Sequence, residues 1–191
     1  CIVDTDSSAT GATTYTEVKQ QKEKQAVTSP NCYPVWLYAK VGDVVYAGSA
    51  MAAALTVATD AANGDIPYVS PSNKTLAISA ACLKDGTEVL LDQEQANVVN
   101  SFGVATWLNM NGFRLWGNNT ACYPGNTDPK DRWFSVRRFM SWDDNTFIQT
   151  YFQKADDPLN KRLIEALVDS ENVRGNSFFP RGICARHEIQ Y

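Results

Sequence analysis

Apolar and polar positions switch between strand-like and helix-like spacing over residues 33–120, and this pattern predicts a layered domain. The segment 33–46 holds two short apolar runs around a Gly-Asp turn, which predicts a pair of strands. Ser49 then precedes an Ala-rich run that ends at Gly64, so we predict a helix with Ser49 as its N-cap. The small side chains of this helix would allow close packing against a sheet.

A second group of signals predicts another helix and a hairpin. Asp92 and Gln95 have the spacing of a capping box, which predicts that a helix begins there. The apolar run over 104–110, an Asn-Gly turn and the run over 113–116 together predict a hairpin. A further short strand is predicted within 76–83.

Residues 4–31 are rich in Thr, Ser, Gln and Lys and carry no apolar stripe with a helical period. For this segment we predict an exposed hairpin or a mobile stretch of chain.

The last third of the chain predicts a smaller α+β arrangement. Residues 133–136 form a candidate strand, and apolar residues recur at helical spacing over 137–152. Asp157 and Pro158 are typical of a helix start, while the alternation over 185–191 predicts a terminal strand. The apolar face predicted for the second helix consists of Leu159, Leu163, Ile164, Leu167 and Val168.

These elements predict an α/β (α+β) fold, with a layered mixed β-sheet, flanking helices and a smaller, partial α+β C-terminal domain. The predicted regions are an exposed hairpin or mobile segment over 1–32, an α/β core domain over 33–120 and a C-terminal domain over 121–191; the family resemblance described next implies that the first is variable and the last truncated.

The block from Asn109 to Arg138 resembles a known family. It contains NGFRLWGNNTA at 111–121, the loop CYPGNTDPKD at 122–131 and VRR at 136–138, in that order. In these motifs the chain resembles the tail sheath proteins of contractile phage tails and of related phage-tail-like particles. The resemblance extends over roughly 33–191 and includes the segments 45–76 and 146–164.

The resemblance implies a mechanical role. Sheath subunits of this family stack as hexameric rings in a helical array around a tail tube, and contraction drives the tube through the host envelope. The implied partners are copies of the same protein, the tail tube protein, and baseplate and terminator proteins. The implied location is the virion tail, assembled in the bacterial host cytoplasm.

Two departures from the family pattern affect these expectations. Asn119 occupies a position where the family often has Arg, so an ion pair made there would be lost or replaced. The chain begins with Cys1 rather than Met and stops at Tyr191, short of the family's C-terminal strand and arm. We therefore expect a fragment of a longer protein, which could stay monomeric by itself.

Composition excludes several other classes of protein. The chain has 191 residues, 44% of them hydrophobic, which suits a packed core, and its net charge of −4 argues against a nucleic-acid partner. No apolar run is long enough to span a bilayer. Five widely spaced cysteines and a single histidine fit neither a zinc pattern nor a disulfide framework, and predict buried, reduced thiols.

The sequence carries no recognisable catalytic pattern. The only histidine, His187, lies near the end of the chain, and no Ser lies in a nucleophile elbow. We expect His187 to be a surface or partner-contacting strand residue. The carboxylates of Asp128 and Asp157 precede prolines, where capping is the expected role. A Ca²⁺ site at Asn126, Asp128 and Asp131 is a weaker alternative, and we predict no catalytic, cofactor or metal residues.

Three arginines are the candidate site residues. Arg132, Arg137 and Arg138 lie among aromatic residues, and Arg suits interface ion pairs. We predict that they lie near subunit or tube contacts, and that reversal of Arg137 and Arg138 to Glu weakens assembly without affecting the fold. The alternatives are an α/β hydrolase-like enzyme or its inactive relative, and an extracellular adhesion module using the two Asn-X-Thr sequons.

Overall fold

The structure is a computed structural model that describes residues 1–158 and 160–190. It has a mixed α+β fold, as predicted from the sequence. The strands are β1 (Ile2–Thr5), β2 (Tyr33–Trp36), β3 (Tyr38–Val41), β4 (Val44–Tyr46), β5 (Ala80–Cys82), β6 (Thr106–Asn109) and β7 (Phe113–Trp116). The helices are α1 (Val18–Lys24), α2 (Gly48–Ala61), α3 (Gln93–Ser101), α4 (Pro129–Arg132), α5 (Phe134–Tyr151) and α6 (Lys161–Asn176), with a 3₁₀ turn at Phe152–Lys154.

The chain forms two compact units, residues 1–140 and residues 141–191. This division falls inside α5, twenty residues beyond the sequence-based boundary at 120. The predicted sheath domains stay a prediction, because compact units and domains defined by a family need not share their limits.

The first unit contains a parallel and an antiparallel strand pair and a three-stranded sheet. Strand β1 pairs in parallel with β2, β6 pairs antiparallel with β7, and the three-stranded sheet has the order β4-β3-β5. The backbone N–H of Trp36 donates to the carbonyl of Ala105 at 2.8 Å, which links β2 to the start of β6. Tyr33, Trp36 and Trp107 are buried between these strands and the helices.

The N-terminal segment contains β1 and α1 and contributes buried residues to the core, so it is not the exposed hairpin that we predicted. Ala12 and Val18 are fully buried, and the indole N–H of Trp36 donates to the carbonyl of Ala12 at 3.0 Å. The segment was missed because β1 pairs with residues 31 positions away, and because its buried side chains are mostly small or polar, such as Thr5 and Ser7.

Helix α2 is present where it was predicted, but Ser49 is not its N-cap. The helix begins at Gly48, and Asp4 of β1 supplies the capping carboxylate. One carboxylate oxygen accepts from the backbone N–H of Ser49 at 2.7 Å and the other from its hydroxyl at 2.6 Å. Gly48 is required at this start, because a Cβ there would lie 2.1 Å from the carbonyl oxygen of Leu37.

The predicted capping box and hairpin are confirmed. The side chain of Asp92 accepts from the backbone N–H of Gln95 at 2.8 Å, and the Gln95 side chain accepts in return from the N–H of Asp92 at 3.2 Å. Asn109 pairs with Phe113, so three residues, 110–112, connect the two strands, and Asn111 and Gly112 in this connection both have positive φ, 53° and 98°.

Three predictions about the end of the chain were wrong. Residues 134–136 belong to helix α5, although Trp133 makes an isolated bridge with Asn119. Helix α6 begins at Lys161 with Asn160 as its N-cap, since the Asn160 side chain accepts from the N–H of Leu163 at 2.9 Å. The described residues 185–190 form no strand, and Leu159 and Tyr191 lie outside the described residues.

No helix within the described ranges is both long enough and apolar enough to cross a bilayer. The five cysteines are unpaired, and Cys82 is the one whose whole residue is buried.

Candidate assembly surface

Arg132 lies between two aromatic rings. Its guanidinium carbon is 4.2 Å from the ring centre of Tyr123 and 4.3 Å from that of Trp133, which are cation–π distances. Its Nε donates to the side-chain oxygen of Asn119 at 3.0 Å, while the Asn119 amide donates to the carbonyl of Asn100 at 3.1 Å. Asn119 therefore links Arg132 to the carbonyl of Asn100 through two hydrogen bonds.

Arg137 joins the start of α5 to two other segments of the first unit. Its Nε donates to the side-chain oxygen of Asn31 at 2.9 Å, and its Nη1 lies 3.4 Å from a carboxylate oxygen of Asp131. The Arg137 side chain keeps 32% of its surface exposed to solvent.

Arg138 forms an ion pair with Asp60 at the end of α2. Its two terminal nitrogens contact both carboxylate oxygens, one of them at 3.1 Å. The guanidinium carbon also lies 5.3 Å from the ring centre of Phe134. Reversal of Arg138 would therefore affect the fold as well as any contact with another subunit, and the three predicted contact residues stay a prediction.

The acidic loop before α4 caps a helix. The Asp128 carboxylate accepts from the backbone N–H of Lys130 at 2.9 Å, as expected for a helix start. The Asn126 amide donates to Asp131 at 2.9 Å, and Asp131 also pairs with Arg137. The three candidate Ca²⁺ ligands are thus engaged with each other and with neighbouring groups. No group of three or more His, Cys, Asp or Glu residues in the described chain could hold a metal ion.

The second unit contains a charged cluster that the sequence did not reveal. Arg174 of α6 contacts Asp143 of α5 at 2.7 Å and Glu171 at 2.6 Å. The side chain of Glu171 is only 1% exposed. Burial is the largest single influence on the pKa of Arg174 and lowers it. The hydrogen bonds to Glu171 and Asp143 and the charges of these two residues together outweigh burial, so the pKa is raised above its ordinary value. The sequence offered one signal, the spacing of Glu171 and Arg174 on the same helix face.

His187 belongs to this cluster and is not the surface strand residue that we expected. Its Nε2 lies 2.9 Å from a carboxylate oxygen of Asp143, and its side chain is 12% exposed. Its Nδ1 is buried without a hydrogen-bond partner and lies against Gly175, where an added Cβ would be 1.9 Å away. A serine hydrolase needs a nucleophile on one imidazole nitrogen and a carboxylate on the other. Here glycine occupies the place of the nucleophile.

The second unit exposes large apolar side chains. Phe178 is the one buried hydrophobic residue in its described part. Exposed large hydrophobics of this unit are Phe147, Ile148, Phe152, Val173 and Phe179, with exposures between 36% and 72%. Apolar surface of this kind is typical of protein–protein contacts. The helical apolar spacing of α5 was visible in the sequence, but which of those residues would remain exposed was not.

Comparison with known proteins supplies a structural likeness. No protein-family model matches the chain, and no curated protein matches it by sequence. A chain in the sheath complex of an extracellular contractile injection system, in its contracted state, superimposes with a TM-score of 0.76 at 18% identity. That alignment covers 98% of this chain and 50% of the other. The chain has the fold of a contractile-system sheath protein.

Two structures of the anti-feeding prophage agree. A chain in its baseplate superimposes with a TM-score of 0.72 at 16% identity, covering 95% of this chain and 45% of that one. A chain in its contracted helical sheath gives a TM-score of 0.69 at 17% identity, covering 85% and 44%. This chain therefore spans about half the length of the proteins that it matches. Because the likeness reaches 98% coverage, it includes most of residues 1–32, which the sequence resemblance had left out.

Proposed function

We propose that this chain is part of a contractile tail sheath subunit that polymerises helically around a tail tube and shortens to drive the tube through a host envelope. The fold likeness to sheath chains over 85–98% of this chain supports the proposal. The match to motifs at 111–121, 122–131 and 136–138 supports it independently, because it rests on residues rather than on backbone shape.

A mechanical role also agrees with the chemistry of the molecule. The His187–Asp143 pair has glycine where a hydrolase would need a nucleophile. The exposed apolar residues of α5 and α6 suit burial against neighbours in an assembly. Contraction in such an array would be a transition between two packings of otherwise rigid subunits.

The proposed partners are further copies of the protein in hexameric rings, the tail tube protein, and baseplate and terminator proteins. The proposed location is the tail of a phage or phage-tail-like particle that is assembled in the bacterial cytoplasm. We propose no nucleic-acid or membrane partner and no enzymatic activity. A heterologous contact that does not close into a ring gives a helical array, which is the geometry that a sheath requires.

Electron microscopy tests the proposal. The chain should be expressed with all of the polypeptide that its natural gene encodes, both alone and together with the tail tube protein from the same gene cluster. Striated cylinders, hollow or around a tube, are the expected result. Discrete particles under both conditions would indicate that the chain shares the fold of sheath proteins without their function, and would contradict the proposal.

A further inference from the structure

An apolar cleft lies between α1 and the loop that follows β7. It has a volume of about 540 Å³ and is lined largely by Val27, Pro30, Phe102, Ala121, Tyr123 and Pro124. Cys122 also lines it and is partly exposed. A cleft of this size has room for an apolar side chain together with part of the backbone that carries it.

A buried lysine gives one wall of the cleft a positive charge. The Nζ of Lys22 donates to the carbonyl of Phe102 at 2.6 Å and to that of Tyr123 at 2.7 Å. Burial lowers the pKa of Lys22 to about 8, so the side chain is mostly charged at neutral pH. The neighbouring Lys19 is exposed on the same wall, and Glu23 is the acidic residue in the lining.

The same unit carries a projecting leucine with the opposite charge around it. Leu90 is 75% exposed, the largest value among the exposed large hydrophobics of the described residues. Four acidic residues, Asp85, Glu88, Asp92 and Glu94, lie within five positions of it, and Lys84 is the only basic residue in the stretch 84–94. The pair between Glu88 and Lys40 is exposed and 3.5 Å long, so it offsets this acidity only weakly.

The leucine and the cleft lie at opposite ends of the same helix. Leu90 comes shortly before the first residue of α3, whereas Phe102, in the cleft lining, follows its last residue. Nine helical residues separate the two ends by roughly 14 Å along the helix axis. A knob and a pocket at opposite ends of one rigid element make a head-to-tail contact, which can repeat from one copy to the next.

We propose that Leu90, with its acidic neighbours, docks into the Lys22 cleft of a second copy of this protein. This contact rests on the proposed function and specifies one subunit interface within it. The apolar lining receives the leucine side chain, while the exposed Lys19 faces the acidic flanks. A second copy is the occupant because the cleft and the leucine are complementary in both polarity and charge.

Disulfide trapping tests the contact through the cysteine already present in the cleft. Leu90→Cys is made in the full-length protein and treated with diamide, which oxidises two neighbouring thiols to a disulfide. We expect a ladder of dimers, trimers and higher species on a non-reducing gel. Mass spectrometry should identify peptides in which the cysteine introduced at position 90 is linked to Cys122. Adding Cys122→Ser should abolish the ladder. Val57→Cys, at a side chain that is 66% exposed on α2, is the matched control and should give no link to Cys122.

Substitution of the knob gives a second readout. Leu90→Asp should raise the critical concentration for assembly at least about tenfold, because it places a charge in the apolar cleft. The unfolding midpoint should be unchanged, since Leu90 is exposed. Lys19→Glu should weaken assembly in the same direction.

Other outcomes would overturn the contact. A Leu90→Cys variant that forms only dimers linked through position 90 of both copies would indicate a symmetric contact, and a link from Cys122 to another segment or protein would identify a different occupant. Electron microscopy of the same samples tests the sheath function separately from the contact between Leu90 and the Lys22 cleft. Normal cylinders without a link between position 90 and Cys122 would refute the docking contact alone, whereas the absence of any assembly in the unsubstituted protein would refute the sheath function as well.

Discussion

Arg137 and Arg138 are adjacent in the sequence but contribute differently to the stability of the fold. Arg138 pairs with Asp60 and its side chain is 25% exposed, so Arg138→Glu would place two carboxylates together. We expect this substitution to lower the free energy of unfolding by about 1–2 kcal/mol. Arg137→Glu should cost less than about 1 kcal/mol, because its pair with Asp131 is longer and more exposed. Chemical denaturation measures both changes.

The charge-swapped variant Asp60→Arg with Arg138→Glu is the control for this prediction. It should recover most of the lost stability if the pair with Asp60 is responsible. Equal losses for the two single Glu substitutions would contradict the assignment. An assembly defect in Arg137→Glu at unchanged stability would support a contact role for that residue.

Lys22 makes stability depend on pH at alkaline values. Burial lowers its pKa from 10.5 to about 8, so between these values the unfolded chain binds more protons than the folded chain. The free energy of unfolding therefore gains a contribution that rises with pH from about 8 to about 10.5. The cost of burying the charge is fully present below pH 8. Lys22→Met should lack this rise, which urea titrations at several pH values would measure, and an identical slope in both proteins would contradict the account.

At the scale of elements, the carboxylate of Asp4 in β1 caps the start of α2. Asp4 accepts two hydrogen bonds from Ser49 at the start of α2. We expect Asp4→Ala to lower the free energy of unfolding by about 1–2 kcal/mol, the usual cost of a lost N-cap. Ser49→Ala should cost less, since it keeps the backbone hydrogen bond to Asp4. Thermal and urea unfolding would rank the two variants, and the reverse order would show that the hydroxyl matters more than the cap.

Gly175 illustrates a packing constraint between α6 and the end of the chain. A methyl group there would lie 1.9 Å from Nδ1 of His187 and would displace the segment that carries this histidine. We expect Gly175→Ala to destabilise the protein and to speed proteolysis after residue 181. In a His187→Gly background, which also removes the Cβ that would lie 2.9 Å from the added methyl group, the same change should be neutral or stabilising by up to about 1 kcal/mol, because Ala favours helix over Gly. A loss of similar size in both backgrounds would refute the proposed clash.

Local signals account for the elements that the sequence predicted correctly. The capping box at Asp92 and Gln95 and the Asn111-Gly112 turn involve residues close together in the chain, and both are present. Features built from distant residues were missed. The cap on α2 comes from Asp4, 45 positions away, and His187 reaches Asp143 across 44 positions. Neither pairing leaves a periodic trace in the sequence.

At the scale of the whole molecule, the second unit exposes more apolar surface than its small described core explains. Phe152 is 72% exposed and Ile148 is 57% exposed, both in or just after α5. We predict that Ile148→Ser with Phe152→Ser weakens self-association at least about tenfold, because apolar area leaves water when subunits pack. The folded protein should keep its unfolding midpoint, since these side chains contribute little to its own core. Analytical ultracentrifugation would measure the association.

Val57→Ser supplies the matched control, because Val57 is 66% exposed but lies on α2 in the first unit. It should leave both stability and association unchanged. Equal association in all three proteins would contradict an assembly role for the α5 surface. If only the α5 variant loses association, the apolar residues that the second unit leaves exposed are buried at contacts between subunits in the assembly. The free energy of assembly would then come from apolar surface that is buried only between subunits. Such surface can be repacked when an array changes from one subunit arrangement to another, as contraction requires.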